Sequence, residues 1–173
     1  MLDKPGTGLR PNLCTFVTVA EKRTMEARGH IGNSSTGHER VVELRSVLLV
    51  DDSREDNFIH TRQLKRHFTD CSVDTALDGQ QGIETLRSRQ VEGRPPYDLI
   101  CLDVNMPVLD GWGFLQAYDG LPASARAKFL GLMVSTALPS TARDIAERSE
   151  HVDFFISKPF DFDSLDAEIR KLS

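Results

Sequence analysis

Five short strand-like runs, at 47–50, 71–76, 97–104, 129–135 and 152–157, alternate along the chain with five segments of helical character. Val47-Leu48-Leu49-Val50 is apolar without interruption, as a strand covered on both faces must be. The periodicity predicts helices over 54–68, 79–90, 111–118, 140–148 and 163–172, with Ile83 and Leu86 facing inward and Cys101 inside a strand. Five β/α units of this length imply an α/β fold, a doubly wound parallel sheet with helices on both faces. Sites in such sheets lie beyond the C-terminal ends of the strands, at the point where the strand order reverses.

Three of the five runs end in groups suited to chemistry: Asp51-Asp52 after the first, Asp103 after the third and Lys158-Pro159 after the fifth. The fold brings these ends together. Three carboxylates in one pocket repel by about 4 kcal/mol per pair at ~4 Å and an effective dielectric near 20. A cation must offset that. Mg²⁺ is the fitting ion, because it prefers carboxylate, carbonyl and water oxygens and keeps positions open for phosphate, and with Lys158 it would balance the three acids. The charge distribution agrees: residues 47–173 carry fourteen Lys/Arg against twenty-one Asp/Glu, which disfavours direct nucleic-acid binding.

Four segments together resemble the response-regulator receiver family, whose minimal form is the chemotaxis regulator CheY: Val-Leu-Leu-Val-Asp-Asp (47–52), Leu-Asp-Val-Asn-Met-Pro-Val-Leu-Asp-Gly (102–111), Leu-Met-Val-Ser-Thr-Ala (132–137) and Phe-Phe-Ile-Ser-Lys-Pro-Phe (154–160). The resemblance covers roughly 45–172 and implies a flavodoxin-like (βα)5 fold with strand order 2-1-3-4-5. It makes Asp103 the phosphoacceptor, Asp52 a direct Mg²⁺ ligand and Asp51 an acid holding the metal largely through water. The Asn105 backbone carbonyl would also face the metal, and Lys158 would pair with a phosphoryl oxygen. The family's cis peptide would fall at Lys158-Pro159, and Phe155 matches its aromatic switch position. For the switch hydroxyl, aligning the strand without a gap picks Ser135, whereas counting back from Lys158 picks Thr136; Ser135 is the preferred assignment. The implied partners are a sensor histidine kinase or histidine phosphotransfer protein and a downstream protein target.

A haloacid-dehalogenase-type phosphatase also uses a strand-end aspartate and a lysine, but its first motif wants Asp-x-Asp where this chain has Asp51-Asp52-Ser53. A degenerate receiver is disfavoured, since every core position holds a competent residue. His60 and His67 read as a solvated helix face, and Asp56, Asp74, Asp78 and Asp98 as surface or capping acids. Phe160 and Phe162 read as exposed, able to support a homodimer or to pack.

Residues 1–45 hold scattered Gly, Pro, Ser and Thr and read as a flexible extension, or as an artefact of start-site choice with Met25 nearer the true beginning; 46–173 is the expected folded domain. The short apolar stretch 13–20 makes a poor secretory signal, and no run is long enough to span a membrane. The cysteines Cys14, Cys71 and Cys101 have no Cys-x-x-Cys spacing, so reduced thiols and a cytoplasmic protein are expected. With the chain ending at Ser173, right after the last helix, the expected output is a protein contact or a phosphorelay from a stand-alone receiver.

Overall fold

The structure is a computed structural model, and it describes residues 43–134, 149–158, 160 and 162–172. Five parallel strands form one sheet: β1 (Ser46–Val50), β2 (Ser72–Ala76), β3 (Leu99–Asp103), β4 (Phe129–Val134) and β5 (Phe154–Ser157), in the order β2-β1-β3-β4-β5. Helices α1 (Arg54–His67), α2 (Gly79–Val91), α3 (Gly111–Asp119) and α4 (Phe162–Leu172) join or follow them. Expected and observed boundaries agree within a residue or two. The strand expectations for 97–104 and 152–157 begin two residues early, because Tyr97 and Val152 are buried apolar residues that enter the sheet before its ladder starts. The helix expected over 140–148 lies outside the described residues.

Successive side chains of a strand point to opposite faces of the sheet, and here each face closes its own core. Leu48, Val50, Ile100, Leu102, Leu130 and Leu132 meet Ile83 and Leu86 of α2 and Phe114 and Tyr118 of α3. Val47, Leu49, Leu99, Cys101, Phe129 and Met133 meet Leu64 of α1 and Leu165 and Ile169 of α4. Every residue of β1 and β3 is buried, which explains why residues 47–50 and 99–102 are apolar without alternation.

The folded unit starts slightly earlier than its expected edge at residue 46. Leu44 is buried in the α1/α4 core, and the Arg45 carbonyl accepts from Ser72 N–H at 2.8 Å. Residues 1–42 lie outside the described part.

Helices α1, α2 and α3 each open on a side-chain cap, which satisfies an N–H left without a partner in the first turn. Ser53 Oγ accepts from Asp56 N–H at 3.1 Å, Asp78 from Gln81 N–H at 2.8 Å and Asp110 from Gly113 N–H at 2.8 Å. Asp78 is therefore a capping acid, though a buried one. Gly111 is demanded by close approach, since a Cβ there would stand 2.6 Å from the Asp103 carbonyl oxygen. The β3–α3 turn thus packs directly on the end of β3.

Candidate functional site

The chain leaves β1 toward β2 on one side, while β3 pairs on β1's other side. Between these diverging connections, at the C-terminal ends of β1 and β3, stand Asp51, Asp52 and Asp103, with ligand oxygens all within 4.8 Å of one another. Asp51 is 1% exposed and Asp103 7%, whereas Asp52 faces solvent. Lys158, immediately after β5, reaches across to both buried acids: its Nζ lies 2.8 Å from Asp51 Oδ2 and 2.9 Å from Asp103 Oδ2.

Local bonds fix the second oxygen of each buried acid. Ser53 N–H donates to Asp51 Oδ1 at 2.9 Å and Val104 N–H to Asp103 Oδ1 at 2.8 Å. The backbone at the end of β1 is held too, because the Asn57 side-chain amide donates to the Asp51 carbonyl at 2.7 Å. Asn57 did not stand out in the sequence. Its only signal was a polar residue on the inward side of α1, one turn after the acids.

Burial pushes the Asp103 carboxyl above its ordinary range, and the nearby charge of Asp51 adds to that rise. The Lys158 bond and charge and the Asn105 backbone N–H pull the other way without overcoming it. Burial works against the Lys158 charge, but its bonds to Asp51 and Asp103 outweigh the penalty and raise the ammonium above its ordinary value. One ammonium thus bonds two of three clustered acids, and their hard oxygens are a donor set that could hold a divalent cation.

Residues 47–170 match the response regulator receiver domain family. The chain belongs to that family. Among relatives of this receiver domain, the response regulator ArlR of Staphylococcus aureus is 28% identical over 129 residues, 75% of this chain and 52% of ArlR. The chain therefore spans about half the length of the curated relatives it matches. A two-component response regulator from Cytophaga hutchinsonii has a similar structure, with a TM-score of 0.66 and 27% identity over 76% of this chain and 98% of that one. A response regulator receiver protein from Dyadobacter fermentans gives 0.62 and 28%, covering 73% and 95%.

The other site expectations for the receiver domain divide into three groups. Asn105 is exposed two residues beyond Asp103, and Phe155 is half-buried against the α2/α3 core. Ser135, Thr136 and the Lys158-Pro159 peptide lie outside the described residues. Three expectations of exposure are corrected: His60 is buried rather than solvated, at 7% exposure, while Phe160 is buried at 8% and Phe162 is half-buried. Phe160 packs against both His60 and Phe162, for the reason that an aromatic beside Lys158 meets the inward face of α1. No helix among the described residues is long and apolar enough to cross a membrane.

Proposed function

We propose that this receiver domain accepts a phosphoryl group on Asp103 from a histidine kinase or phosphotransfer protein, in a Mg²⁺-dependent reaction, and passes the signal through a change of surface. The observation that carries the reading is the bridge made by Lys158 between Asp51 and Asp103, with Asp52 beside them and open to solvent. One Asp103 carboxylate oxygen attacks phosphorus, the bond from phosphorus to the donor's imidazole nitrogen breaks, and the donor keeps the electron pair as a histidine ready for reprotonation. The product is an acyl phosphate.

Asp51, Asp52 and Asp103, with the Asn105 carbonyl, would hold Mg²⁺ through hard oxygens. The ion would supply neutralisation of the phosphoryl oxygens during transfer. Lys158 stands where a phosphoryl group on Asp103 would meet it, so its Nζ can exchange a carboxylate contact for a phosphoryl one. Val104 N–H keeps Asp103 Oδ1 oriented and leaves Oδ2, on the Lys158 side, as the nucleophilic atom.

The hydroxyl of Ser135, with Thr136 as its alternative, would bind another phosphoryl oxygen at the end of β4, and Phe155 would follow it. A charge-assisted hydrogen bond made in only one state is worth roughly 1.5 to 3 kcal/mol. That would shift a two-state equilibrium by one to two decades, read by a protein partner. We place the protein in the cytoplasm, a reading supported by the free thiols of Cys71 and Cys101.

Incubation with acetyl phosphate and Mg²⁺, followed by intact-mass measurement, tests the reading. Wild type should gain one phosphoryl group and Asp103→Asn none. Equal labelling of both would assign the nucleophile elsewhere, and turnover of small phosphate esters would favour the phosphatase class instead.

A further inference from the structure

Lys158 is followed within four positions by Phe160 and Phe162, and α1 carries His60 and His67 seven residues apart. Seven residues are close to two helical turns, so both histidines and Leu64 fall on one face of α1. The rings form a continuous ladder. His60 lies against Phe160 with centroids 4.6 Å apart, Phe160 against Phe162 at 4.6 Å, Phe162 against His67 at 6.1 Å, and His67 edge-on to Phe68 at 4.9 Å. These separations fall in the range of about 4.5–7 Å in which aromatic rings attract beyond their buried area.

His60 stands at the end of this ladder nearest the acids. Its ring is buried, yet its Nδ1 has no hydrogen-bond partner among the described residues. A buried imidazole that forgoes that bond serves by its face and shape. The segment after β5 is in turn fastened at two points. Lys158 N–H donates to the Val134 carbonyl at 2.9 Å on one side, and Phe160 is seated on His60 two residues later. Because α1 begins two residues after Asp52, one helix links the acid pair to the segment that presents the lysine.

We infer that His60 is a positioning residue of the phosphoryl site: its ring clamps Phe160 and so keeps Lys158 Nζ between Asp51 and Asp103. The functional half of this inference rests on the reading of Asp103 and Lys158 proposed above; the geometric half does not. Without the clamp the lysine gains freedom, and displacements on the order of 1 Å are enough to cost reaction rate heavily.

The test uses the full chain as wild type, His60→Ala, His60→Phe and Phe160→Leu, each shown to be folded by circular dichroism. Two quantities are read: the side-chain NMR resonances of Lys158, and the initial rate of labelling by acetyl phosphate with Mg²⁺. His60→Ala should shift the Lys158 resonances and slow labelling by roughly tenfold. His60→Phe should restore both, since it returns a ring to the same place. Should His60→Ala not fold, Phe160→Leu carries the comparison, with the same two changes expected. A folded His60→Ala with wild-type Lys158 resonances and wild-type rate overturns the inference, as does a His60→Phe protein that behaves like His60→Ala. If wild type takes no label while His60→Ala still shifts Lys158, the clamp stands and the phosphoryl reading falls.

Discussion

The two ends of the sheet treat their carboxylates in opposite ways. At the N-terminal end, Asp98 Oδ2 accepts from Arg45 N–H and Ser46 N–H, each at 2.9 Å, and from Ser46 Oγ–H at 3.3 Å. Five residues later, at the C-terminal end of β3, Asp103 draws on the Val104 and Asn105 N–H groups of its own turn and shares a single ammonium with Asp51. One acid is saturated by the chain's own groups and closes the fold. The other is crowded beside a second buried acid, and burial raises its carboxyl despite the shared ammonium. Asp98 is held by backbone and hydroxyl donors of a distant segment, whereas Asp103 depends on a lysine that it shares with a second acid.

The largest expected effect breaks the saturated end. Asp98→Ala would leave the Arg45 and Ser46 N–H groups without their acceptor and should cost about 2 kcal/mol in urea unfolding. An unchanged midpoint would mean that solvent replaces Asp98 freely.

Next comes the crowded end in the presence of metal. Asp52→Ala should weaken Mg²⁺ binding by roughly tenfold or more, and Asp51→Asn by less, because an inner-sphere ligand contributes more than a water-mediated one. Trp112, half-buried in the first turn of α3 just past the Asp110-Gly111 turn, is the fluorescent reporter for that titration. Equal affinities for both variants and wild type would remove the cation from the account.

A smaller effect has the opposite sign. Since the folded protein holds the Asp103 proton more tightly than the unfolded chain does, stability should fall as pH rises from the ordinary carboxylate range through the raised folded value. Asp103→Asn removes that decline. The variant should therefore be more stable than wild type at neutral pH without metal, with the gain vanishing in acid and shrinking when Mg²⁺ is added. A variant less stable than wild type at neutral pH would show that the Lys158 bond outweighs the crowding.

The smallest effect concerns the turn leading away from Asp103. Val108, 84% exposed, sits at φ +66, where a β-branched side chain is strained. Val108→Gly should relieve that strain and raise stability by about 1 kcal/mol or less, the relief being partly offset by the greater freedom of glycine in the unfolded chain.

The same contrast explains what could be read in advance. The strand-end acids announce themselves because the residues before them are buried on both faces, so Val47 to Val50 and Leu99 to Leu102 read as central strands with Asp51 and Asp103 at their ends. The lysine follows an edge strand buried on one face only and is legible through the Phe-Phe-Ile-Ser-Lys-Pro-Phe motif. The Asp98 knot and the His60 clamp were not legible. Asp98 looks like any polar residue before a strand, and its partners lie about fifty positions away. His60 follows Ile59, a more apolar residue that turns out to be exposed, so the hydrophobic pattern of α1 points away from its true inner face. What occupies the inner position is a ring that packs on Phe160, a hundred residues along. The expectations for Ser135 and Thr136 fall outside the described residues.

The most direct measurement of the central claim is the location of the phosphoryl group within the chain. Reduction of the phosphorylated protein with borohydride converts an aspartyl phosphate to homoserine, and tandem mass spectrometry of its peptides then locates the reduced position. The account predicts homoserine at position 103 alone, dependent on Mg²⁺ and absent from protein not treated with acetyl phosphate. Homoserine at Asp51 or Asp52 instead, or a phosphoryl group retained on a histidine, would contradict it.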